Sequence, residues 1–396
     1  MKFYFVLKNM YPIGKASTAR IRSYAKGLNK YNVEKQVLIP VSPERFGQPP
    51  VNKEKEGVFD NTHYLYLSGS PQRKSNVFQR KLNDFYGYIK TLRYLYQHVK
   101  NGDIVVVYEG GVLWHALCAL IIRHKKAKII MELNELPYGT GKETYSAVVH
   151  RKIMLNYIFP LYHGFFAIST SLMKLAEKYS PHSQVLKVPI IVESNKKIPK
   201  PHNKNGIYLF HSGSLFEQKD GILGMLKAFG IVSQKFPQPI KYYLTGKIQD
   251  SPHQKEILQI LQEYDIKDKV FFTGFLSEPE LLDFQRNCYL TIINKYDTQQ
   301  NSFCFSTKLG EYLACERAVI ITNVGEATYY LQNDKNAYIV EPDNYMILAD
   351  KILEALNNPV KNQQIGAEGF KLTQKDFNAE YQAKRIITFC QQLYNK

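Results

Sequence analysis

Short runs of apolar, β-branched and aromatic residues alternate along the chain with longer segments of helical periodicity. Helical patterns cover residues 16–30, 112–125 and 171–179. In the first half, the apolar runs predict six strands: 2–7, 33–40, 103–109, 127–133, 164–169 and 184–189. Because these runs are apolar throughout, they indicate strands of a parallel sheet with helices on both faces. The pattern is typical of a doubly wound α/β domain.

The second half of the chain repeats this architecture without repeating the sequence. Its apolar runs predict six further strands: 206–213, 239–246, 269–275, 289–294, 317–323 and 336–342. A polar, proline-containing segment, 198–206, separates the halves and is the candidate linker. A chain of 396 residues also exceeds what one hydrophobic core usually fills.

These patterns predict an α/β fold of two Rossmann-like domains, residues 1–198 and 199–376, that face each other across a cleft. Open α/β sheets bind ligands at the carboxyl ends of their strands, so the cleft is the expected binding site. The last segment, 377–396, is helical in pattern and is expected to pack back on the first domain.

The positive charge of the chain is concentrated in its first half. The net charge is +17, and residues 1–200 carry 31 Lys and Arg against 13 Asp and Glu, whereas the remainder carries 21 against 22. Such an asymmetry favours an anionic partner for the first domain, either membrane lipid, a phosphate-bearing acceptor or nucleic acid. A solvated basic surface without a partner is the simpler alternative.

Several classes of protein are disfavoured by the remaining composition. The five cysteines show no C-x-x-C spacing, which favours a reduced cytosolic protein over a disulfide framework or a zinc ribbon. The first residues lack the features of a signal peptide. The most apolar stretch, 112–122, is shorter than the ~18 to 20 residues of a membrane span. Any membrane contact is therefore expected to be peripheral.

The segment 301–331 carries the most informative chemistry. Ser306 and Thr307 stand at the start of a predicted helix, whose free N–H groups and dipole attract anions. Glu311 follows about one turn later, where a carboxylate suits the two hydroxyls of a ribose. Motif shape alone favours the simpler explanation, in which Ser306 and Thr307 cap a helix and Glu311 is a surface residue.

Two further loops lie in the predicted second domain. Gly213 and Ser214 follow a strand, and Lys219 opens a helix, an arrangement that suits a diphosphate; an ordinary solvated lysine is the alternative. The segment 269–284 reads as a strand, a Gly-Phe turn at Gly274 and Phe275, and a helix that begins with a serine.

These three elements, in this order, resemble the signature of retaining GT-B glycosyltransferases of family 4, the glycosyl transferases group 1. One subgroup reads F-x-S-x-K-x-x-E-Y-L-A-x-x-x-x-V-I. The matching positions are Ser306, Lys308, Glu311, Tyr312, Leu313, Ala314, Val319 and Ile320. The resemblance implies that Glu311 binds the nucleotide ribose. The family's first glutamate is replaced by Phe303.

The resemblance also assigns roles to the two loops. Lys219 matches the lysine that holds the donor diphosphate, with Gly213 in the preceding loop and Ser214 where relatives have an arginine. Asp220 intervenes between Lys219 and the glycine that follows it in relatives. The turn of Gly274, Phe275 and Leu276 is implied to lie against the nucleobase. Lys219 and Glu311 are thus the predicted catalytic residues, and the others, with Phe303, Ser306 and Thr307, the predicted donor site.

The first domain contributes weaker candidates for the acceptor side of the cleft. Gly14 lies in a loop that resembles the family's glycine loop, and Asn134 stands near the place of a histidine that contacts the donor sugar in relatives. Glu132 and Glu135 accompany Asn134 at a strand end. Carboxylates that are satisfied within the fold are an alternative explanation for both.

Residues 78–100 combine aromatic and basic side chains with one acidic residue, Asp84. A helix of this composition can rest on anionic lipid near a lipid-linked acceptor. It can equally pack its aromatic stripe into the first domain and leave its charges in solvent. The sequence does not distinguish the two.

The resemblance predicts a metal-independent, retaining glycosyltransferase that uses a nucleotide-diphosphate sugar and no separate cofactor. Its expected acceptor is a glycan or a lipid-linked glycan in bacterial surface polysaccharide synthesis. The expected location is the cytoplasm or the inner face of the membrane, with no nucleic-acid partner. The alternatives are an epimerase or hydrolase of nucleotide sugars on the same fold, and a nonenzymatic protein that binds nucleic acid or membrane.

Overall fold

The computed structural model describes residues 1–47, 49–138, 144–192 and 206–395, and the chain divides into two compact units. Unit 1 consists of Met1–Ile191 with Ala379–Lys396, and unit 2 of Val192–Asn378. The predicted linker, apart from Gly206, and the predicted boundary at 198/199 lie outside the described residues. The domain limits inferred from the sequence therefore stay predictions.

Unit 1 is built on an eight-stranded sheet. The strands are β1 (Phe3–Val6), β2 (Lys35–Ile39), β3 (Glu56–Phe59), β4 (Thr62–Tyr66), β5 (Ile104–Val107), β6 (Lys128–Leu133), β7 (Gly164–Ala167) and β8 (Gln184–Lys187). Their order is β3-β4-β2-β1-β5-β6-β7-β8. All neighbours are parallel except β3 and β4, and Phe3 of the central β1 lies opposite both Lys35 and Ile104. The side chains of β1, β5 and β7 are buried throughout, as expected for strands covered on both faces.

Five helices of unit 1 follow its strands. They are α1 (Ala16–Asn29), α2 (Val77–His98), α3 (Val112–His124), α4 (Tyr145–Ile153) and α5 (Thr170–Tyr179). Asn76, Thr144 and Ser169 cap α2, α4 and α5 with side-chain oxygens that accept backbone N–H bonds of the first turn.

The hairpin of β3 and β4 is the part of this sheet that the apolar runs did not predict. Its strands are short, and the exposed and partly buried residues of β3 alternate, so no apolar run marks it. The turn is formed by Asp60 and Asn61, which have φ angles of 46° and 56°. Asp and Asn tolerate this left-handed conformation, which two-residue hairpin turns require.

Unit 2 contains a six-stranded, fully parallel sheet of order β11-β10-β9-β12-β13-β14. The strands are β9 (Ile207–His211), β10 (Ile240–Leu244), β11 (Val270–Phe272), β12 (Leu290–Ile293), β13 (Val319–Thr322) and β14 (Tyr338–Val340). The helices are α6 (Glu217–Asp220), α7 (Ile222–Lys235), α8 (Gln254–Glu263), α9 (Glu278–Asn287), α10 (Gln299–Phe303), α11 (Thr307–Ala314), α12 (Tyr345–Asn357) and α13 (Pro359–Gln374). The core between sheet and helices includes Leu226, Phe229, Tyr242 and Ile352.

The last helix, α14 (Ala379–Gln392), belongs to unit 1 although it follows unit 2 in sequence. Ala383, Ile386 and Phe389 join the core of unit 1, and the Phe389 ring lies 5.8 Å from that of Phe166. Gly27 of α1 lies so close to the Ala379 carbonyl and the Ala383 side chain that a Cβ at this position would collide with both. The two helices therefore pack against each other at close range.

The predicted fold class, α/β with two Rossmann-like parallel-sheet domains, is confirmed. All twelve strands predicted from apolar runs are present, each within the predicted range. Among the described residues, no helix combines the length and the apolar character needed to cross a membrane.

Candidate active site

The strand order of unit 2 reverses at its centre. From β9 the chain continues to β10 and β11 on one side, and then returns to place β12, β13 and β14 on the other. The carboxyl ends of β9 and β12 therefore flank a switch point, where open α/β sheets bind ligands. His211 ends β9, Ile293 ends β12, and α11 begins after β12, with α10 between them.

Three ionisable side chains meet at this switch point. The ammonium of Lys308, in the first turn of α11, forms an ion pair with Asp220 at the end of α6. Nε2 of His211 lies 3.9 Å from Oδ1 of the same Asp220 carboxylate. The Lys308 side chain keeps 22% of its surface exposed and that of Asp220 keeps 7%, so the cluster is accessible from one side.

The absence of a side chain at Gly213 allows these three groups to lie close together. A Cβ on Gly213 would collide with the Lys308 ammonium and would lie 2.8 Å from both Asp220 Oδ2 and His211 Nε2. Any side chain at this position would therefore push these groups apart, so glycine is required for their close packing.

The protonation states follow from burial and neighbouring charge. Burial works to raise the pKa of Asp220, but His211, Lys308 and a hydrogen bond from Ser214 together hold it below its ordinary value. Burial lowers the pKa of His211 to about 4, with Lys308 acting in the same direction. His211 is therefore neutral at pH 7. Its Nδ1 lies 3.0 Å from the Ile292 carbonyl and must carry the proton, which leaves Nε2 as a buried acceptor with no partner among the described residues.

Buried hydroxyls fix the loop after β9. The backbone N–H of Ser212 donates to the Tyr312 hydroxyl at 2.7 Å, and the N–H of Gly213 donates to Thr245 Oγ1 at 2.7 Å. Ser214 Oγ donates to Asp220 Oδ2 at 2.9 Å. Tyr312 is one of the residues matched by the family signature, so the signature helix holds the β9 loop in place.

The signature segment brings Glu311 next to α9. Gln285 Nε2 donates to Glu311 Oε2 at 3.2 Å, and burial raises the pKa of the Glu311 carboxyl. Ser306 precedes the first residue of α11, Thr307, but its side chain makes no capping hydrogen bond. The serine hydroxyl therefore does not occupy the N–H groups of the first turn. Phe303 is the half-buried last residue of α10.

The remaining donor-site candidates are more exposed. Lys219 lies on α6 with its side chain in solvent, and it forms no hydrogen bond or ion pair with the described part of the chain. Gly274 has a φ of 74°, a conformation that glycine adopts without strain, and pairs with Gly246. The next residue, Phe275, is 92% exposed, and Leu276 is partly buried. A shallow hollow of about 680 Å³, lined in part by Lys247, borders this turn.

In unit 1, Gly14 lies in the loop between β1 and α1. A Cβ at this position would collide with Thr18 Oγ1, which donates a 2.5 Å hydrogen bond to the Met10 carbonyl. Glycine is therefore required by the packing of the loop on α1. The loop leaves β1 beside β5, where the strand order of this sheet reverses.

Glu132, by contrast, is fully satisfied inside unit 1. Its carboxylate accepts Arg20 Nε at 2.6 Å and the Tyr24 hydroxyl at 3.0 Å, and neither side chain of the ion pair is more than 3% exposed. Asn134 is partly buried two residues further along, and Glu135 is exposed. This geometry gives Glu132 a structural partner, whereas Glu135 faces solvent.

The sequence pattern gives no role to Asp220, His211 or Gln285, and Lys308 enters it only as a matched position of the signature. Lys308 and Glu311 are three residues apart at the start of a helix, a spacing that places both on one face. Asp220 interrupts the Lys-Gly pair that relatives have. These two features of the sequence point to Lys308 and Asp220 separately, but they do not predict the ion pair, because its residues are 88 positions apart. Among the described residues no group of three or more His, Cys, Asp or Glu is arranged to hold a metal ion.

Comparison with known proteins shows what the chain is similar to. The profile of the family Glycosyl transferases group 1 matches residues 192–372. No curated protein matches the sequence significantly. Sucrose-phosphate synthase from Thermosynechococcus elongatus is 15% identical, with a TM-score of 0.71, and the match covers 100% of this chain and 99% of that one.

Two further solved structures have the same fold. Anabaena HepE, in complex with UDP-glucose, is 15% identical with a TM-score of 0.69, and the match covers 100% of this chain and 98% of that one. The α,α-trehalose-phosphate synthase (UDP-forming) of Burkholderia xenovorans, in complex with glucose-6-phosphate, is 12% identical with a TM-score of 0.69, and the match covers 99% and 100% of the two chains.

The two parallel-sheet units share the GT-B fold of these neighbours. Residues 192–372 are similar to the glycosyl transferases group 1. The predicted enzyme class is thereby confirmed, and the nonenzymatic alternative is set aside.

Proposed function

We propose that this glycosyltransferase moves a hexose from a nucleotide-diphosphate sugar to a glycan or lipid-linked acceptor, with retention of the anomeric configuration and without a metal ion. The surrounding process would be bacterial surface polysaccharide synthesis, in the cytoplasm at the inner face of the membrane. Peripheral contact with anionic lipid is part of this proposal.

The observation that carries it is the cation at the switch point of unit 2. Lys308 is held by Asp220 beside Gly213, at the end of the strand where α/β sheets bind ligands, and its side chain keeps 22% of its surface exposed. An ammonium at the start of a helix adds to the helix dipole, and both attract a diphosphate. Stabilisation of a departing diphosphate is the electrostatic help that usually contributes most to such catalysis.

Around this cation we assign the diphosphate to Lys219, Gly213, Ser214, Ser306 and Thr307. Lys219 has a free ammonium within the described structure and lies one residue before Asp220. Ser214 offers a hydroxyl in place of an arginine, so Lys308 and Lys219 supply the positive charge between them.

The nucleoside is assigned to the neighbouring surface. Glu311 is within hydrogen-bond reach of Gln285, and burial raises the pKa of its carboxyl, so two ribose hydroxyls that donate to it would replace lost hydration. Gly274, Phe275 and Leu276 provide a turn for the base, and the Phe275 ring is free to stack. Phe303 occupies the place of the family's first glutamate, so the donor sugar must be held by other groups.

The acceptor is assigned to unit 1, near Gly14, Asn134 and Glu135. Glu132 is kept in this set as a positioning residue, since its carboxylate is already engaged by Arg20 and Tyr24. Anabaena HepE was solved with UDP-glucose, which makes UDP-sugars the first donors to test.

The direct test is nucleotide binding followed by product analysis. Thermal unfolding is measured with UDP, GDP and ADP, and then with the corresponding sugars. A ligand at 100 times its Kd stabilises the folded state by about 2.7 kcal/mol. Consumption of donor without any acceptor would identify a hydrolase or epimerase and overturn the proposal. NMR of the product at early times shows whether the anomeric configuration is retained.

Lys219→Ala and Glu311→Ala test the residue roles. Loss of one charge-assisted contact of about 1.5–3 kcal/mol lowers kcat/KM by about 10- to 150-fold. The matched control is Lys255→Ala, which removes an exposed lysine elsewhere in unit 2. Undiminished transfer by either variant would contradict the role given to that residue.

A further inference from the structure

Helix α2 exposes its most apolar face to solvent. The residues that it buries are Gly87, Thr91 and Leu95. The large apolar side chains that it exposes include Phe78, Leu82, Phe85, Tyr86, Ile89 and Tyr96, with Phe78 at 74% exposure. Surface helices normally do the reverse and turn their apolar stripe to the core. These exposed side chains therefore do not pack into unit 1, in contrast to one of the two arrangements that the sequence left open.

Gly87 fixes this orientation. A Cβ on Gly87 would collide with the Pro40 carbonyl and would lie 3.1 Å from the Ser68 backbone nitrogen. The Thr91 hydroxyl donates to the Gly87 carbonyl at 2.7 Å, so its polar atom is satisfied within the helix. Only the Gly87 face can approach the β2 end this closely, which leaves the opposite face, with the aromatic stripe, outward.

Helix α3 extends the apolar surface. It exposes Leu113, Leu117 and Leu120, which are three to four residues apart and share one face. The stripe of α3 meets that of α2 where the His124 ring stacks on Tyr96 at 5.9 Å. We call the surface formed by the two stripes the α2–α3 face. Contiguous exposed apolar surface of this kind marks an interaction site.

Basic residues surround the α2–α3 face without acidic neighbours on α2. Lys81, Lys90 and Arg93 are exposed on α2, and Arg123 and Lys126 are exposed at the end of α3. The one acidic residue of α2, Asp84, accepts a hydrogen bond from the Ser42 backbone at 3.2 Å and is thus directed to the protein. An apolar, aromatic centre with a cationic margin matches the interfacial region of an anionic bilayer.

We propose that the α2–α3 face docks on an anionic lipid bilayer, with the aromatic stripe in the headgroup region and the basic side chains on lipid phosphates. This inference rests on the proposed function in one respect, since it names the surface responsible for the peripheral membrane contact. A second copy of the chain fits the face poorly, because pairing two such faces would bring their cationic margins together.

The test uses the full chain and sedimentation with vesicles, without sugar donor. Vesicles of phosphatidylcholine alone are compared with vesicles that also contain phosphatidylglycerol. The apolar variant is Phe78→Ser with Phe85→Ser and Ile89→Ser, and the charge variant is Lys81→Gln with Lys90→Gln and Arg93→Gln. The matched controls in unit 2 change exposed residues of the same kinds: Met346→Ser with Val360→Ser, and Lys255→Gln with Lys267→Gln.

We expect the unmodified chain to bind only the anionic vesicles, and high salt to release it. The charge variant should lose about 100-fold in partition coefficient, from roughly 1 kcal/mol per basic residue. The partition coefficient of the apolar variant should fall at least as much, and that of the unit 2 controls should not change. Equal binding by variants and controls would overturn the proposal.

Sedimentation equilibrium of the chain without vesicles tests whether a second copy of the chain occupies the α2–α3 face instead. A dimer that the apolar variant converts to a monomer would also overturn membrane docking. Nucleotide-induced thermal stabilisation, measured on the same variants, separates this inference from the donor site. If vesicle binding follows the expected pattern while no nucleotide stabilises the chain, the proposed transfer fails and the docking surface stands.

Discussion

Units 1 and 2 have similar architectures, and each contains a carboxylate paired with a cation near strand ends. In unit 1 the Arg20–Glu132 pair is 3% and 0% exposed, whereas the Lys308–Asp220 pair of unit 2 is 22% and 7% exposed. The units also differ in charge. Unit 1 carries a formal charge of +18, with 31 basic and 13 acidic residues, and unit 2 carries −1, with 21 and 22.

The partners of each pair explain the difference. Besides Glu132, the Arg20 guanidinium donates to the carbonyls of Pro189 at 2.7 Å and Val188 at 2.8 Å, so all three of its nitrogens are engaged. The unit 1 pair therefore connects α1, β6 and the segment after β8. The unit 2 pair lies beside Nε2 of His211, which has no partner among the described residues, and its cation is partly exposed. The same kind of ion pair holds the fold in one unit and leaves a cation available in the other.

The largest effect is expected in unit 1, from Arg20→Met. Removal of one partner leaves Glu132 charged and buried, which costs about 3–5 kcal/mol. Trp114 is the only tryptophan of the chain and is buried in unit 1, so its fluorescence during urea unfolding measures this unit. Lys30→Met, an exposed change just after α1, is the control. Adding Glu132→Leu should restore much of the loss, and a fully stable single variant would show that the pair does not hold the fold.

The second effect is a loss of unit 2 stability in acid. The pKa of His211 falls from an ordinary 6.5 to about 4 on folding, so the unfolded chain takes up the proton first. Stability from the neutral imidazole is complete above pH 6.5 and decreases by about 3 kcal/mol as the pH falls to 4. Hydrogen exchange resolved by peptide measures this decrease in stability for β9 and β12. His211→Gln keeps an N–H that can donate to the Ile292 carbonyl, and it should flatten the dependence of stability on pH. An unchanged pH profile would assign the loss of stability in acid to other groups.

The third effect concerns donor binding. Lys308→Met should lower kcat/KM by about 100-fold, as for other groups that stabilise developing negative charge. The pair is more exposed than Arg20–Glu132, so the accompanying loss of stability should be smaller than the loss of about 3–5 kcal/mol for a fully buried pair. Arg20→Met should show the reverse pattern. If Lys308→Met destabilises unit 2 as strongly as Arg20→Met destabilises unit 1, the contrast between the two pairs is removed.

The smallest effect is expected from Gly213→Ala. The added methyl group displaces the Lys308 ammonium and should weaken nucleotide binding by about tenfold, or 1.4 kcal/mol. Isothermal titration calorimetry with the nucleotide that stabilises the chain measures it. Gly224→Ala is a matched control, since its Cβ would contact nothing nearer than 3.1 Å. Equal affinity of both variants would show that nucleotide binding does not depend on the position of the Lys308 ammonium.

Periodicity predicted most of the fold, because buried parallel strands are apolar throughout and easily recognised. It missed β3 and β4, where exposure alternates and the turn residues Asp60 and Asn61 give the only signal. The candidate site was predicted as a region and a set of loops. The Asp220–Lys308 contact was not, because no local pattern connects residues on different helices of one sheet edge.

The orientation of α2 shows a different limit. The periodicity of 78–100 predicted which residues share a face, but an amphipathic pattern does not state which face is buried when both contain large side chains. The decision depends on Gly87, whose missing side chain permits contact with the Pro40 carbonyl. This is a tertiary property, so a helix rule applied to the sequence alone favours neither outcome.

The return of α14 to unit 1 has a consequence for biosynthesis. On the ribosome, β1 to β8 emerge first and the whole of unit 2 follows, so the apolar groove over Gly27 and Phe166 stays uncovered until Ala379–Gln392 has left the exit tunnel. The core of unit 1 is therefore complete only after the last helix has been synthesised. A chaperone that shields this groove would act during that interval.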